Sequence, residues 1–215
     1  MERSFLLRLY EMGERDFTGV DLRGADLSGV TLIEVNLSGA NLTGANLSRA
    51  FLTKSNLSGA FLNWANLTFV KISEGYMADA DLTKAEMSGA FMVKSNLSRA
   101  KLSGANLTGV NLRGANLEGA NLCGGNLKNI NLRGANLMGA NLNWAKLSGA
   151  RLSGAALYGA FLHGVNLTGA FLNGVDLSGV DLDGANLSEA KLSGAKLSAA
   201  NLTGNFAEIH RYQYI

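Results

Sequence analysis

Proline is absent from all 215 positions. Proline lacks a backbone donor and is confined to sheet edges and bulges, so its absence suits a backbone hydrogen-bonded on both sides. Cys123 is the only cysteine, which excludes an intramolecular disulfide framework and fits a reducing compartment, here expected to be the cytoplasm. Charge is sparse at 17% of residues with a net of +2, so composition alone imposes no polyanionic or polycationic partner. The apolar run Phe5-Leu6-Leu7 is broken at once by Arg8. That is too short for a secretory core or a membrane span, and no membrane association is expected. A phosphate-binding loop, a CxxC pair and an HExxH motif are all missing, so neither cofactor nor metal is expected.

What fills the chain is a five-residue beat. Residues 105–122 read Ala-Asn-Leu-Thr-Gly, Val-Asn-Leu-Arg-Gly, Ala-Asn-Leu-Glu-Gly, Ala-Asn-Leu. A large apolar residue, the centre, recurs every fifth position from Phe17 to Leu202, which makes 38 repeats without insertion. A small residue stands two before each centre. Asn or Asp stands one before it in 23 repeats, Ser or Thr follows it in 22, and Gly comes next in 24. Period five fits neither a helix nor a long strand; it fits one short extended segment and a turn. The small residue and the centre then face inward, the Asx and Ser/Thr positions face outward, and Gly marks a corner where positive φ is cheap. Such a chain coils and pairs its backbone with the coils on either side.

The motif Ala-(Asp/Asn)-Leu-X-X resembles that of the pentapeptide-repeat family, over residues 15–204. The resemblance implies an all-β fold: a right-handed quadrilateral parallel β-helix with four repeats per coil. On that geometry the rod has about 9.5 coils and is about 45 Å long. The lead-in Leu-Leu-x-x-Tyr-x-x-Gly-x-Arg-Asp-Phe is similar to that of cyanobacterial members, and the chain reads as a non-acidic one.

The chain divides at 1–14, 15–204 and 205–215. In the first segment Phe5, Leu6, Leu9 and Met12 recur at helical spacing and Gly13 can end a helix, predicting a short amphipathic helix that caps the first coil. The last segment concentrates Phe206, Ile209, Tyr212, Tyr214 and Ile215. It reads as a cap, with a dimerisation tail through Phe206, Ile209 and Tyr212 as the alternative. Family members that inhibit DNA gyrase dimerise through a longer extension. Between them, 69–94 is least regular: Met centres replace Leu, and Gly75 replaces the small inward residue, which reads as a repacked lumen, with a functional departure from the repeat as the alternative. Gly125 and Ile130 read as a pair that keeps lumen volume constant.

Residues twenty apart should stack on one face. The face built on Leu32, Leu52 and Ile72 carries Lys54, Lys71, Lys94, Arg113, Arg133, Arg151 and Lys191 against Glu34 and Glu74, a net of +5. Glu34, Lys54, Glu74 and Lys94 should form an alternating column of cross-coil pairs. The opposite face carries Phe61, Trp64, Trp144, Phe161 and His163. Exposed Trp and Phe are typical anchors for protein partners, and Phe61, Trp64, Trp144 and Phe161 are the candidate contact residues, the alternative being that the rings lie flat over neighbouring glycines and shield the ladder. The basic residues Lys54, Lys71, Lys94, Arg113, Arg133 and Arg151 are a secondary candidate, read as a solvated face rather than a nucleic-acid site. The column Cys123, Asn143, His163, Asp183 looks like a nucleophile set, but Cys and His fall about 9.6 Å apart, beyond activating reach. No catalytic or metal residue is assigned. The expected protein is therefore a non-enzymatic scaffold that presents flat faces to a protein partner, as a monomer. The alternatives are a DNA-mimic inhibitor of gyrase or topoisomerase, which should be acidic along its length, and a structural rod assembling end to end.

Overall fold

The computed structural model describes residues 1–204. The tail candidates Phe206, Ile209 and Tyr212 lie outside the described residues. Parallel bridges join residues twenty apart, from Asp16↔Asn36 to Asp181↔Asn201. Four repeats thus make one coil, and the coils stack into a four-sided parallel β-helix. Each contact is a single residue pair, because five residues leave room for little more before the chain turns.

The Leu107 repeat shows why the stack holds. Asn106 N–H donates to Ala85 O at 2.9 Å, Leu107 N–H to Asn126 O at 2.7 Å and Gly109 N–H to Lys128 O at 2.9 Å. Val110 N–H closes the turn on Leu107 O at 3.1 Å. The remaining donor, Thr108 N–H, has no ladder partner and goes to the Asn106 side-chain oxygen at 3.2 Å. All five amides of the repeat are thereby satisfied, which a dry interior demands. The Asn or Asp before the centre is therefore more than an outward polar residue: it is the acceptor for the one amide the coil cannot pair, with Asn126, whose side-chain oxygen is buried without a partner, as the exception.

Asn does a second job. Its Nδ2 donates to the residue one coil earlier, as in Asn56 to Asn36 (3.2 Å), Asn126 to Asn106 (3.2 Å) and Asn136 to Asn116 (3.1 Å). These bonds all point toward the N-terminus. Asp can only accept, so it suits the start of a column, as in Asn36 to Asp16 and Asn46 to Asp26, both 3.1 Å. Six Asp stand at this position (Asp16, Asp21, Asp26, Asp81, Asp176, Asp181), and twenty residues after each comes Asn or Lys: Asn36, Asn41, Asn46, Lys101, Lys196 and Asn201.

Every centre from Phe17 to Leu192 is buried, as the inward assignment requires, and Leu197 and Leu202 are partly buried. At each corner the third turn residue has positive φ, the type II arrangement. Glycine does not dictate this. The fourteen non-glycine corners, from Glu34 (φ 58°) to Ala199 (57°), adopt it too. Ten of the fourteen lie between Glu34 and Arg99, so the strained corners gather in the N-terminal half.

The irregular stretch is a repacked lumen with a specific geometry. A Cβ on Gly75 would stand 2.4 Å from the Ile72 Cγ2 methyl, so the branched centre and the missing side chain fit each other. One coil to either side in the Gly75 column, buried Ser55 and Ser95 turn hydroxyls onto turn carbonyls: Ser55 Oγ donates to Leu32 O at 2.8 Å and Ser95 Oγ to Ile72 O at 2.5 Å. Ser55 Oγ also accepts Val35 N–H at 3.2 Å. Beside Gly125 the three atoms nearest a Cβ belong to Leu127, Leu122 and Ala105.

Helix α1 spans Arg3–Glu11. It ends in a Schellman arrangement at Gly13 (φ 98°), with Gly13 N–H on Tyr10 O and Glu14 N–H on Leu9 O, both 3.0 Å. Its inward stripe is corrected from the sequence expectation. Leu6 is fully buried and Leu7, Leu9 and Tyr10 pack on the core, whereas Phe5 and Met12 are exposed. Leu6, Leu9 and Tyr10 form the i, i+3, i+4 stripe. Phe5 instead lies under the Arg8 guanidinium, and Met12 falls past the last helical turn. The Tyr10 hydroxyl accepts Ile33 N–H at 3.2 Å, and Arg15 stacks over the Tyr10 ring.

Candidate binding faces

The aromatic face is built from two kinds of substitution in the repeat. Phe61 and Phe161 occupy the Asx position, where the coil needs an acceptor. Asn63 N–H accordingly has no acceptor among the described residues, and forgoing such a bond costs about 1 kcal/mol. Trp64 and Trp144 occupy corners at φ 61° and 60°, a conformation that bulky side chains adopt at a cost of about 1–2 kcal/mol. All four are exposed: Phe61 50%, Trp64 59%, Trp144 59% and Phe161 55%. Four half-exposed rings thus stand in positions where the repeat favours Asn or Gly.

The structure does not gather them into one patch. Phe61 and Trp64 belong to one repeat, where the Lys84 ammonium sits 4.4 Å over the Trp64 ring. Trp144 lies four coils further along, about 19 Å away. There the ring covers Gly164, where a Cβ would meet it at 2.3 Å, and it makes an edge contact with His163 at 4.8 Å between centroids. Phe161 stands on the coil next to Trp144. Tyr158, at 77% the most exposed aromatic among the described residues, flanks this second cluster around the corner and escaped the sequence reading. Its signal was available, because Tyr158 fills a Ser/Thr position.

The Cys123–Asp183 column holds no catalytic arrangement. His163 Nδ1 is 3.4 Å from Asp183 Oδ2, and His163 N–H donates to Asn143 Oδ1 at 2.9 Å. Cys123 is partly buried two coils away. Among the described residues no three His, Cys, Asp or Glu gather as metal ligands.

On the basic face the alternating column is half realised. Lys54 and Glu34 approach to 3.6 Å, but Glu74 joins neither Lys54 nor Lys94 among the described ion pairs. Lys71 instead lies over the Phe51 ring at 4.6 Å. The tightest corner pair is elsewhere, Arg99 forking the Asp79 carboxylate at 2.8 and 2.7 Å, which holds that carboxyl below its usual range. Arg23 grips Asp21 in the same way at 2.7 Å and, with its own amide, holds it down to about 2. A depression of about 380 Å³ lies at the corner between Lys54 of the basic face and Asn56 and Tyr76 of the next, and one of about 500 Å³ lies on the basic face beside Phe171 and Lys191. No helix among the described residues is long and apolar enough to cross a membrane.

A coil of four repeats with an inward Leu and an Asx ladder defines the pentapeptide-repeat class. The family model for pentapeptide repeats matches eight times, at 16–49, 32–68, 45–77, 76–114, 115–154, 135–174, 145–184 and 172–204. The chain belongs to the pentapeptide-repeat family, whose members fold as right-handed quadrilateral β-helices and are generally structural or binding proteins. It is similar to HetL, a pentapeptide repeat protein involved in heterocyst differentiation regulation from the cyanobacterium Nostoc sp. strain PCC 7120. The two are 32% identical over 94% of this chain and 95% of HetL, with a TM-score of 0.67. Rfr23 from the cyanobacterium Cyanothece 51142 is 31% identical over 70% of this chain and 95% of its own, with a TM-score of 0.27. QnrB1, a plasmid-mediated fluoroquinolone resistance protein, is 22% identical over 80% of this chain and 85% of its own, with a TM-score of 0.45. The comparison with curated proteins gives no match.

Proposed function

We propose that this protein is a cytoplasmic, non-enzymatic scaffold whose aromatic face engages a protein partner. The observation that carries the reading is the placement of Phe61, Trp64, Trp144 and Phe161 in positions where the coil itself favours Asn or Gly. The similarity to HetL, a protein involved in regulation of differentiation, supports a regulatory scaffold. On this reading the 38 repeats form about 9.5 coils. Helix α1 closes the first coil with Leu6, and the protein acts as a monomer. A DNA mimic would need acidic charge along the rod, whereas one face carries seven basic residues against two acids.

The fold supplies a clean test. Replacing Trp64 and Trp144 by Gly, and Phe61 and Phe161 by Asn, restores the consensus of the repeat, so the variant should melt no lower than wild type. Affinity capture from native lysate should retain a partner on wild type and lose it from this variant. Equal capture by both would overturn the aromatic-face reading.

A further inference from the structure

Sorting charge by coil rather than by face uncovers a second surface. Residues 1–86 carry eight basic against eleven acidic residues, residues 87–175 eight against one, and residues 176–215 three against five, for nets of −3, +7 and −2. A near neutral protein is thus a basic belt between two acidic ends. Five of the eight belt cations lie on the two faces that meet at one edge of the rod, the turn from Leu127 to Ile130. Arg113 and Arg133 follow consecutive centres of the basic face, and Arg151 bridges Asn131 one coil on. Across the corner, Lys128 follows the centre Leu127, and Lys146 bridges Asn126. All five are exposed, and none takes part in an ion pair among the described residues. They occupy three successive coils, about 10 Å along the axis. The one acid of the belt, Glu118, belongs to a different face.

We propose that this edge is a docking surface for an acidic segment of a partner protein. Arg113 and Arg133, stacked one coil apart, are like charges on neighbouring strands and mutually destabilising, and no ion pair among the described residues relieves them, whereas Lys54 on the same face has Glu34 at 3.6 Å. Arginine fits carboxylates through two parallel bonds, and three of the five are arginine. The ladder uses the backbone donors of these repeats, so recognition falls to side chains rather than to an added strand. A nucleic-acid strand is less well served, because it needs stacking platforms between its cations. The Asx column here reads Asn111, Asn131, Arg151, with Phe91 and Phe171 only on the coils beyond. The edge is separate from the aromatic face and its function does not rest on that reading.

The test uses the full chain with two labelled probes of matched charge, a Glu-rich peptide of about ten residues and a single-stranded DNA of about ten nucleotides, followed by fluorescence anisotropy at low and physiological salt. The peptide should bind wild type, more weakly as salt rises. Lys128→Glu/Lys146→Glu should weaken it about tenfold. Lys54→Glu/Lys71→Glu, with the same change in net charge, should stay within about twofold of wild type. Arg113→Gln/Arg133→Gln/Arg151→Gln should also lose affinity while melting no lower than wild type, since it removes like-charge repulsion. Absence of peptide binding to wild type, equal losses in the two double-lysine variants, or tighter binding of DNA than of peptide would each overturn the proposal.

Discussion

Two stretches of the same rod solve the corner differently. Between Glu34 and Arg99 ten corners carry a side chain at positive φ, while between Lys101 and Gly204 only Asn129, Trp144, Glu189 and Ala199 do. The backbone is the same in both, so the coil imposes the left-handed turn and the residue adapts to it. In the first stretch the strain comes with side-chain columns: Glu34 with Lys54, Trp64 under Lys84, Arg99 on Asp79, and Phe69 over Gly89. In the second, glycine removes the strain and leaves the corner bare. The difference teaches that corners are the part of the repeat where a surface can be changed without disturbing the core.

The comparison can be broken from the core outward. Leu107→Asp, in the regular stretch, should unfold the rod, because it places an unpaired charge in the dry lumen; an unchanged thermal transition would refute the common core. Gly75→Ala, in the irregular stretch, should destabilise by about 2 kcal/mol by overpacking, and Ile72→Leu should recover most of that by removing the Cγ2 methyl. A denaturant double-mutant cycle checks the pair, and additive losses would show that Ile72 is not what the glycine accommodates. The smallest effect separates paired from unpaired corners. Glu74→Gly should gain about 1 kcal/mol by relieving φ, since Glu74 has no ion-pair partner among the described residues. Arg99→Gly should show no net gain, because it also gives up the Asp79 contact. Equal gains in both melting curves would mean that the corner columns contribute nothing.

The inward and outward positions were legible because period five leaves one arrangement of them, whereas four repeats per coil, and so the twenty-residue stacking, came from the resemblance to the pentapeptide-repeat family. The role of Asn was not. Seeing it requires knowing that the amide after each centre, Thr108 N–H for example, has no partner in the ladder. The inward stripe of α1 was misread because Phe5 and Met12 are apolar, yet only tertiary contact decides whether Leu6 or Phe5 faces the coil. Gly75 stood out as a departure, but its cause lay three residues away in the branching of Ile72. The exposed rings were legible as departures from the motif, and their separation into two clusters followed from the coil spacing. The basic edge was hidden by sorting charges face by face, which grouped paired Lys54 with unpaired Arg133 and left out Lys128 and Lys146.

The direction of the Asn ladder gives the rod a grain. The bonded Asn amides, such as those of Asn56, Asn126 and Asn136, reach back one coil, so a coil of Asn can be copied and inserted above itself with an oxygen within reach of each donor. Doubling the coil that contains Asp16, Asp21 and Asp26 would instead set carboxylate on carboxylate along three sides. Length is therefore open to growth by duplication in the middle of this protein and closed at its beginning. A rod of this kind can lengthen the surface between its binding sites while its first coil stays single.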